Sequence, residues 1–163
     1  MRRLHFAFFA AVLLPIAVHA APADSTRVVL PTNVQPTRYD VNIVPDTTHL
    51  TFSGTVKIAL DVKSATKTIE LNAADLTFKT VTLDGKPAPR PVFDTTEETA
   101  TFTFPAAVKA GKHTLSIAYT GKINPHPSGL FALDYTDKDG AKKRALFTQF
   151  ENSDARRVLP SWD

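Results

Sequence analysis

Gln149 and Glu151, separated by Phe150, are the residues of this 163-residue chain whose types and spacing could do chemistry. In an extended strand, successive side chains alternate between faces. Gln149 and Glu151 then point one way and Phe150 the other. That sets an amide beside a carboxylate. A carboxylate accepts charge-assisted hydrogen bonds, so the pair could hold a protonated amine. The same pattern also fits a solvated polar face opposite a core phenylalanine. Just downstream, Asp154, Arg156 and Arg157 carry the charges to fix a turn leaving the strand, and Pro160 and Trp162 to pack or shape it.

Other chemistry is missing from the sequence. The five histidines are His5, His19, His49, His113 and His126, and none is followed by Glu. An H-E-x-x-H pair, which sets two imidazoles on one face of a helix toward a metal ion, therefore does not occur. Neither does a G-x-S-x-G elbow or a Gly-rich phosphate loop. With no cysteine, thiolate metal sites and disulfides are excluded. The residues predict no catalytic group and no metal ligand in this chain.

The elements that must position Gln149 and Glu151 read as strands. Tyr39, Val41 and Ile43 alternate with polar residues, and Phe52, Val56, Ile58, Leu60 and Val62 continue the alternation. A period of two over this length marks half-buried strands. Ser53-Gly54 inside the run predicts a bulge or bend. Shorter strands follow around Ile69 and Leu71, from Leu76 to Leu83, from Ala100 to Phe104, and from Leu115 to Tyr119. Asp84-Gly85 is a hairpin turn signal. Lys86 to Pro91 holds three prolines in six residues and reads as a loop or an edge. Asp137-Lys138-Asp139-Gly140 is a turn between Leu133-Asp134-Tyr135 and a last strand, Ala145 to Glu151. Residues 153–159 could form one short helical turn capped by Ser153 or Asp154. The count is about eight short strands with turn signals every 8–12 residues, an all-β antiparallel sandwich.

Residues 1–20 stand apart. Arg2 and Arg3 precede an apolar run from Leu4 to Val18, and Val18-His19-Ala20 has cleavage-site spacing. That is the layout of a signal peptide, followed by a flexible lead-in at 21–29 and the domain at 30–163. The run is shorter than the roughly 20 residues that span a bilayer. Export to the periplasm or the medium is expected, without a stable membrane anchor. Removing Arg2 and Arg3 from the 19 basic residues leaves 17 against 16 acidic ones, a net charge of +1. Nothing in that balance calls for nucleic acid.

The segment from Gln149 to Asp163 resembles the aminopeptidase N family of zinc metallopeptidases. The family pattern is Gln-x-Glu, three residues, Ala-Arg, three residues, Pro, two residues, then Asp-Glu-Pro, and the chain matches it through Asp163. Leu30-Pro31, Pro36, Arg38-Tyr39-Asp40 and Pro45 are similar to the family's opening strand, and Phe52-Ser53-Gly54-Thr55-Val56 to its second. Asn72-Ala73-Ala74-Asp75-Leu76 and Gly129-Leu130-Phe131 fall where the family has related segments. The chain departs at Ala132-Leu133, where many members carry Tyr/Arg-Ser.

The resemblance implies a saddle-like N-terminal β-sandwich, incomplete at its C-terminus, of a secreted zinc aminopeptidase that trims peptides from the N-terminus. Gln149 would contact the substrate's first residue, and Glu151 would anchor its α-ammonium. The Zn²⁺ and the general base would belong to a catalytic domain beyond Asp163, so this chain alone would be inactive. An incomplete sandwich would leave strand edges unpaired. The competing expectation is a free-standing secreted binding module without catalysis. Against it, the aromatic residues mostly fall on alternating core positions, with Trp162 the lone candidate platform.

Overall fold

A computed structural model describes residues 29–162. The leader and most of the lead-in, residues 1–28, lie outside the described residues, as does Asp163. Among the described residues are ten strands: β1 (Val34–Asp46), β2 (Thr51–Val62), β3 (Thr66–Asn72), β4 (Thr77–Leu83), β5 (Lys86–Pro87), β6 (Val92–Asp94), β7 (Thr99–Val108), β8 (Gly111–Lys122), β9 (Gly129–Thr136) and β10 (Lys142–Gln149). A 3₁₀ turn, Asp154–Arg157, follows. Every ladder between strands is antiparallel.

The strands form three sheets, ordered β1-β2-β8-β4-β5, β3-β7-β6 and β10-β9. The first two make the sandwich. Phe78 of β4 stacks on Phe102 of β7 with ring centroids 6.3 Å apart, and meets Phe93 of β6 edge-on at 5.1 Å. The alternation explains the rest. In β2, Phe52, Val56, Ile58, Leu60 and Val62 are buried while Ser53, Thr55 and Lys57 are exposed. They join Ile69 and Leu71 of β3, Phe102 and Phe104 of β7, and Leu115, Ile117 and Tyr119 of β8 in one core. Fully burying a side chain of this size stabilises by about 1.5–3 kcal/mol.

Two local expectations need correction, at Ser53-Gly54 and at the Ser153 cap. No bulge forms at Ser53-Gly54, since the register runs unbroken through both residues toward β1 and β8. Gly54 is needed for space: a Cβ there would lie 2.3 Å from Cζ of Tyr119. The irregularities fall instead between Pro36 and Arg38, Thr66 and Thr68, and Phe78 and Thr80. Lys86 to Pro91 follows the expectation of a loop or an edge, since β5 is the edge strand of its sheet. Asp84 and Gly85, at φ of 52° and 76°, make a hairpin turn that pairs Leu83 with Lys86 and starts β5; these positive angles are those of a type I′ turn. The exposed strand β6, on the edge beside β7, brings no alternation signal of its own. Finally, the helical turn lacks a side-chain cap from Ser153.

The third sheet is a two-stranded hairpin with no ladder to either sandwich sheet. Its turn follows the Asp137–Gly140 signal: Oδ1 of Asp137 accepts from the amides of Asp139 and Ala141, at 3.0 and 2.9 Å. The even-numbered residues Leu130, Ala132 and Leu146 belong to or pack on the core. The odd-numbered face, with Phe131, Leu133 and Tyr135 across from Phe147, Ala145 and Lys143, therefore turns away from it. Leu133, Tyr135 and Phe147 are exposed.

Candidate functional site

Gln149 is the last residue of β10 and pairs with Gly129, the first of β9. It belongs to the outward face, in line with Phe147, and Phe131 stacks on Phe147 at 5.7 Å. Gln149 therefore stands at one end of an exposed apolar strip. The expectation that aromatic residues fill core positions fails on this strip.

Glu151 does not share that strand. The ladder ends at the Gly129–Gln149 pair, because Gly129 adopts φ +61° and leaves no extended partner for Phe150. Phe150 and Glu151 are exposed, Glu151 sits in a turn, and the Glu151–Asn152 peptide is cis. Strand alternation thus places Gln149 but not Glu151, and Phe150 is not a core residue.

The turn that follows is tied to the sandwich by charge and by backbone. The Arg157 guanidinium gives each of its nitrogens to a different carboxylate. Nε donates to Asp154 Oδ1 at 2.8 Å, Nη1 to Asp75 Oδ2, and Nη2 to Glu98 Oε1. Arg156 Nη1 lies 3.5 Å from the second oxygen of Glu98. Asp75 precedes β4 and Glu98 precedes β7, and both hold left-handed backbone, at φ 55° and 54°. Burial opposes ionisation of Asp154, yet hydrogen bonds from Arg157 and Ser128 and the nearby arginine charges hold its carboxyl below the ordinary range. Burial likewise opposes the Arg157 charge, and its carboxylate partners outweigh it, raising its pKa.

Backbone bonds complete the seam. Asn72 and Ser161 exchange two hydrogen bonds of 2.8 and 3.0 Å, and Ala74 N donates to Arg156 O at 2.9 Å. Trp162 N donates to the Tyr39 hydroxyl at 3.0 Å. The salt bridges expected of Asp154, Arg156 and Arg157 are present. Asp75 and Glu98 complete them, brought from distant turns that strand patterning does not connect.

A metal has no comparable setting. Among the described residues, no three His, Asp or Glu side chains gather where they could hold an ion. Both ring nitrogens of His113 already face acceptors, Asp84 Oδ2 at 2.7 Å and the Lys109 carbonyl at 2.9 Å. His49 Nδ1 faces Asp46 Oδ2 at 2.7 Å. No helix among the described residues is long and apolar enough to cross a membrane.

Comparison with known proteins decides what this architecture is. The model of the peptidase M1 N-terminal domain matches residues 35–163. This chain belongs to the peptidase M1 family. Its M1 N-terminal domain is 42% identical over 134 residues to "Aminopeptidase N" of Acetobacter pasteurianus, covering 82% of this chain and 38% of that protein. It is 35% identical over 145 residues to "Aminopeptidase 2" of Candida albicans, covering 88% of this chain and 16% of the relative. "Aminopeptidase M1" of Arabidopsis thaliana is 35% identical over 142 residues, covering 82% and 16%. The chain thus spans less than two-fifths of the length of these relatives. The M1 family membership and the all-β antiparallel fold agree with the sequence resemblance.

Proposed function

We propose that this chain serves as the substrate-anchoring N-terminal domain of an exported zinc aminopeptidase, with residues 1–20 a leader, 21–29 a lead-in and 30–163 the domain. Gln149 contacts the first residue of a peptide, and Glu151 holds its α-ammonium through charge-assisted hydrogen bonds. The observation that carries this reading is the outward strip of β9 and β10. It ends in Gln149 and exposes Leu133, Tyr135 and Phe147 without any covering sheet. Exposed apolar surface rimmed by polar groups marks an interaction site. A catalytic domain is the partner that would cover it, with the peptide N-terminus held at its Gln149 end.

The described residues do not fit a zinc ion, so no step of the reaction is assigned to a metal on this chain. In a complete aminopeptidase the zinc would activate water from a site outside these residues. What this chain supplies is position and charge. A carboxylate that binds the ammonium of a free N-terminus restricts attack to the first peptide bond.

Glu151→Ala, made in a complete enzyme, should raise KM and lower kcat/KM about tenfold to a hundredfold, the scale of one lost charged hydrogen bond. Steady-state kinetics on an unblocked peptide measures this. An unchanged kcat/KM removes Glu151 from the site.

A further inference from the structure

The β9–β10 hairpin packs Leu130, Ala132 and Leu146 on the core, and Arg144 of β10 donates to the Thr47 carbonyl. Its Gln149 end is tied to the sandwich through the turn that follows, where Arg157 makes the side-chain contacts. Arg157 reaches two turns of the sandwich, through Asp75 ahead of β4 and Glu98 ahead of β7. Its Nε also binds Asp154 in its own turn, and the Asp154 amide returns to the Phe150 carbonyl, one residue past Gln149. At the other end of the side chain, a Cβ on Gly129 would lie 3.1 Å from Cβ of Arg157 and 3.3 Å from Cγ2 of Val158. Gly129 is the ladder partner of Gln149. The stem of Arg157 thus abuts the base of the hairpin while its head is fixed in the sandwich.

The backbone at Asp75 and Glu98 adds an independent sign. Left-handed φ is uncommon for residues other than glycine and is kept where the surroundings enforce it. Of the four such residues among those described, Leu50, Asp75, Asp84 and Glu98, two aim a carboxylate at the same guanidinium: Asp75 and Glu98. The planar fork of arginine suits this: three nitrogens diverge toward three oxygens, which a lysine ammonium on one point cannot reproduce.

We propose that Arg157 is a positioning residue, coupling the sandwich to β10 and setting where Gln149 stands. Its consequence for catalysis rests on the reading of Gln149 as a substrate contact, whereas the coupling itself does not. Amide hydrogen exchange on the full 163-residue chain tests the coupling without any activity. Arg157→Gln should speed exchange in β9, β10 and residues 150–162 at least tenfold relative to β2 and β8. The double variant D75N/E98Q, which keeps Arg157 and Asp154, should give the same selective pattern. Arg157→Lys should fail to restore protection.

Equal acceleration in every strand, no acceleration in the hairpin, or full protection with lysine would each overturn the proposal. If Arg157→Gln does not fold, D75N/E98Q decides alone by the same criterion. Failure of the substrate reading would appear differently: Gln149→Ala and Glu151→Ala would leave kcat/KM unchanged in a complete enzyme while the exchange pattern stood.

Discussion

The sandwich and the β9–β10 hairpin use the same strand alternation and meet water in opposite ways. In β2 and β8 the apolar set faces a second sheet, so Ile58, Leu60 and Leu115 are wholly buried. In the hairpin both faces carry apolar residues. Leu130, Ala132 and Leu146 turn toward the core, and Phe131, Leu133, Tyr135 and Phe147 turn out. The sandwich is stabilised by burial, whereas the hairpin is stabilised by attachment. It follows that a substitution in the first should change stability and one in the second should change fit.

The largest test of that contrast is Phe102→Ala. Phe102 is fully buried and stacked on Phe78, and its loss should cost about 3–5 kcal/mol in urea unfolding. Gly54→Val sharpens the role of close packing. Its branched side chain would collide with the Tyr119 ring, which already sits 2.3 Å from the place of a Cβ. Overpacking of this kind should cost about 1–3 kcal/mol, and a loss near zero would mean that the Tyr119 ring moves freely aside.

A smaller effect separates the two regions by pH. The Asp84 hydrogen bond, opposed by burial, raises the pKa of His113, with help from the Lys109 carbonyl and the Asp84 charge. Burial opposes ionisation of Asp84, but hydrogen bonds from His113 and Thr114 and the charges of His113 and Lys86 lower its pKa. The His113 contribution is complete below its unfolded pKa of about 6.5 and is lost as pH rises through the folded value. The Asp84 contribution is present above about 3.9 and is lost as pH falls through its folded value. The stability difference between wild type and His113→Gln should therefore be about 1 kcal/mol near pH 5.5 and smaller by about pH 8.5. This staple belongs to the sandwich, joining the Asp84 turn to Lys109, so hairpin exchange should not follow it. The smallest expected change is Phe147→Ser on the exposed strip, within about 0.5 kcal/mol by unfolding. A loss of several kcal/mol there would show that the strip belongs to the core and would end the contrast.

Much of the sandwich was legible because its signal is local. Phe52, Val56, Ile58, Leu60 and Val62 announce a strand from their own spacing, and Asp84-Gly85 announces its turn. Gly54 was misread as a bulge because what constrains it, the Tyr119 ring, comes from a strand far along the chain. The site was legible in part. Gln149 lies on the strand that alternation predicts, but Glu151 does not, since Gly129 ends the ladder two residues early. Asp154, Arg156 and Arg157 could be recognised as a charged turn. Their partners Asp75 and Glu98 could not, because nothing in a strand pattern says which distant turn will supply a carboxylate.

The distances along the chain that hid those partners also bear on the order of folding. Arg157 meets Asp75 across 82 residues and Glu98 across 59, and the Trp162 amide meets Tyr39 across 123. The β1–β2 and β9–β10 ladders, by contrast, join neighbours in the chain. Closing a long loop loses chain entropy before the contact gives anything back, so such contacts form late. The three-carboxylate arrangement around the guanidinium requires the turns ahead of β4 and β7 to be in place. The β9–β10 ladder that holds Gln149 is local, but the turn after it depends for its anchor on turns supplied by the sandwich.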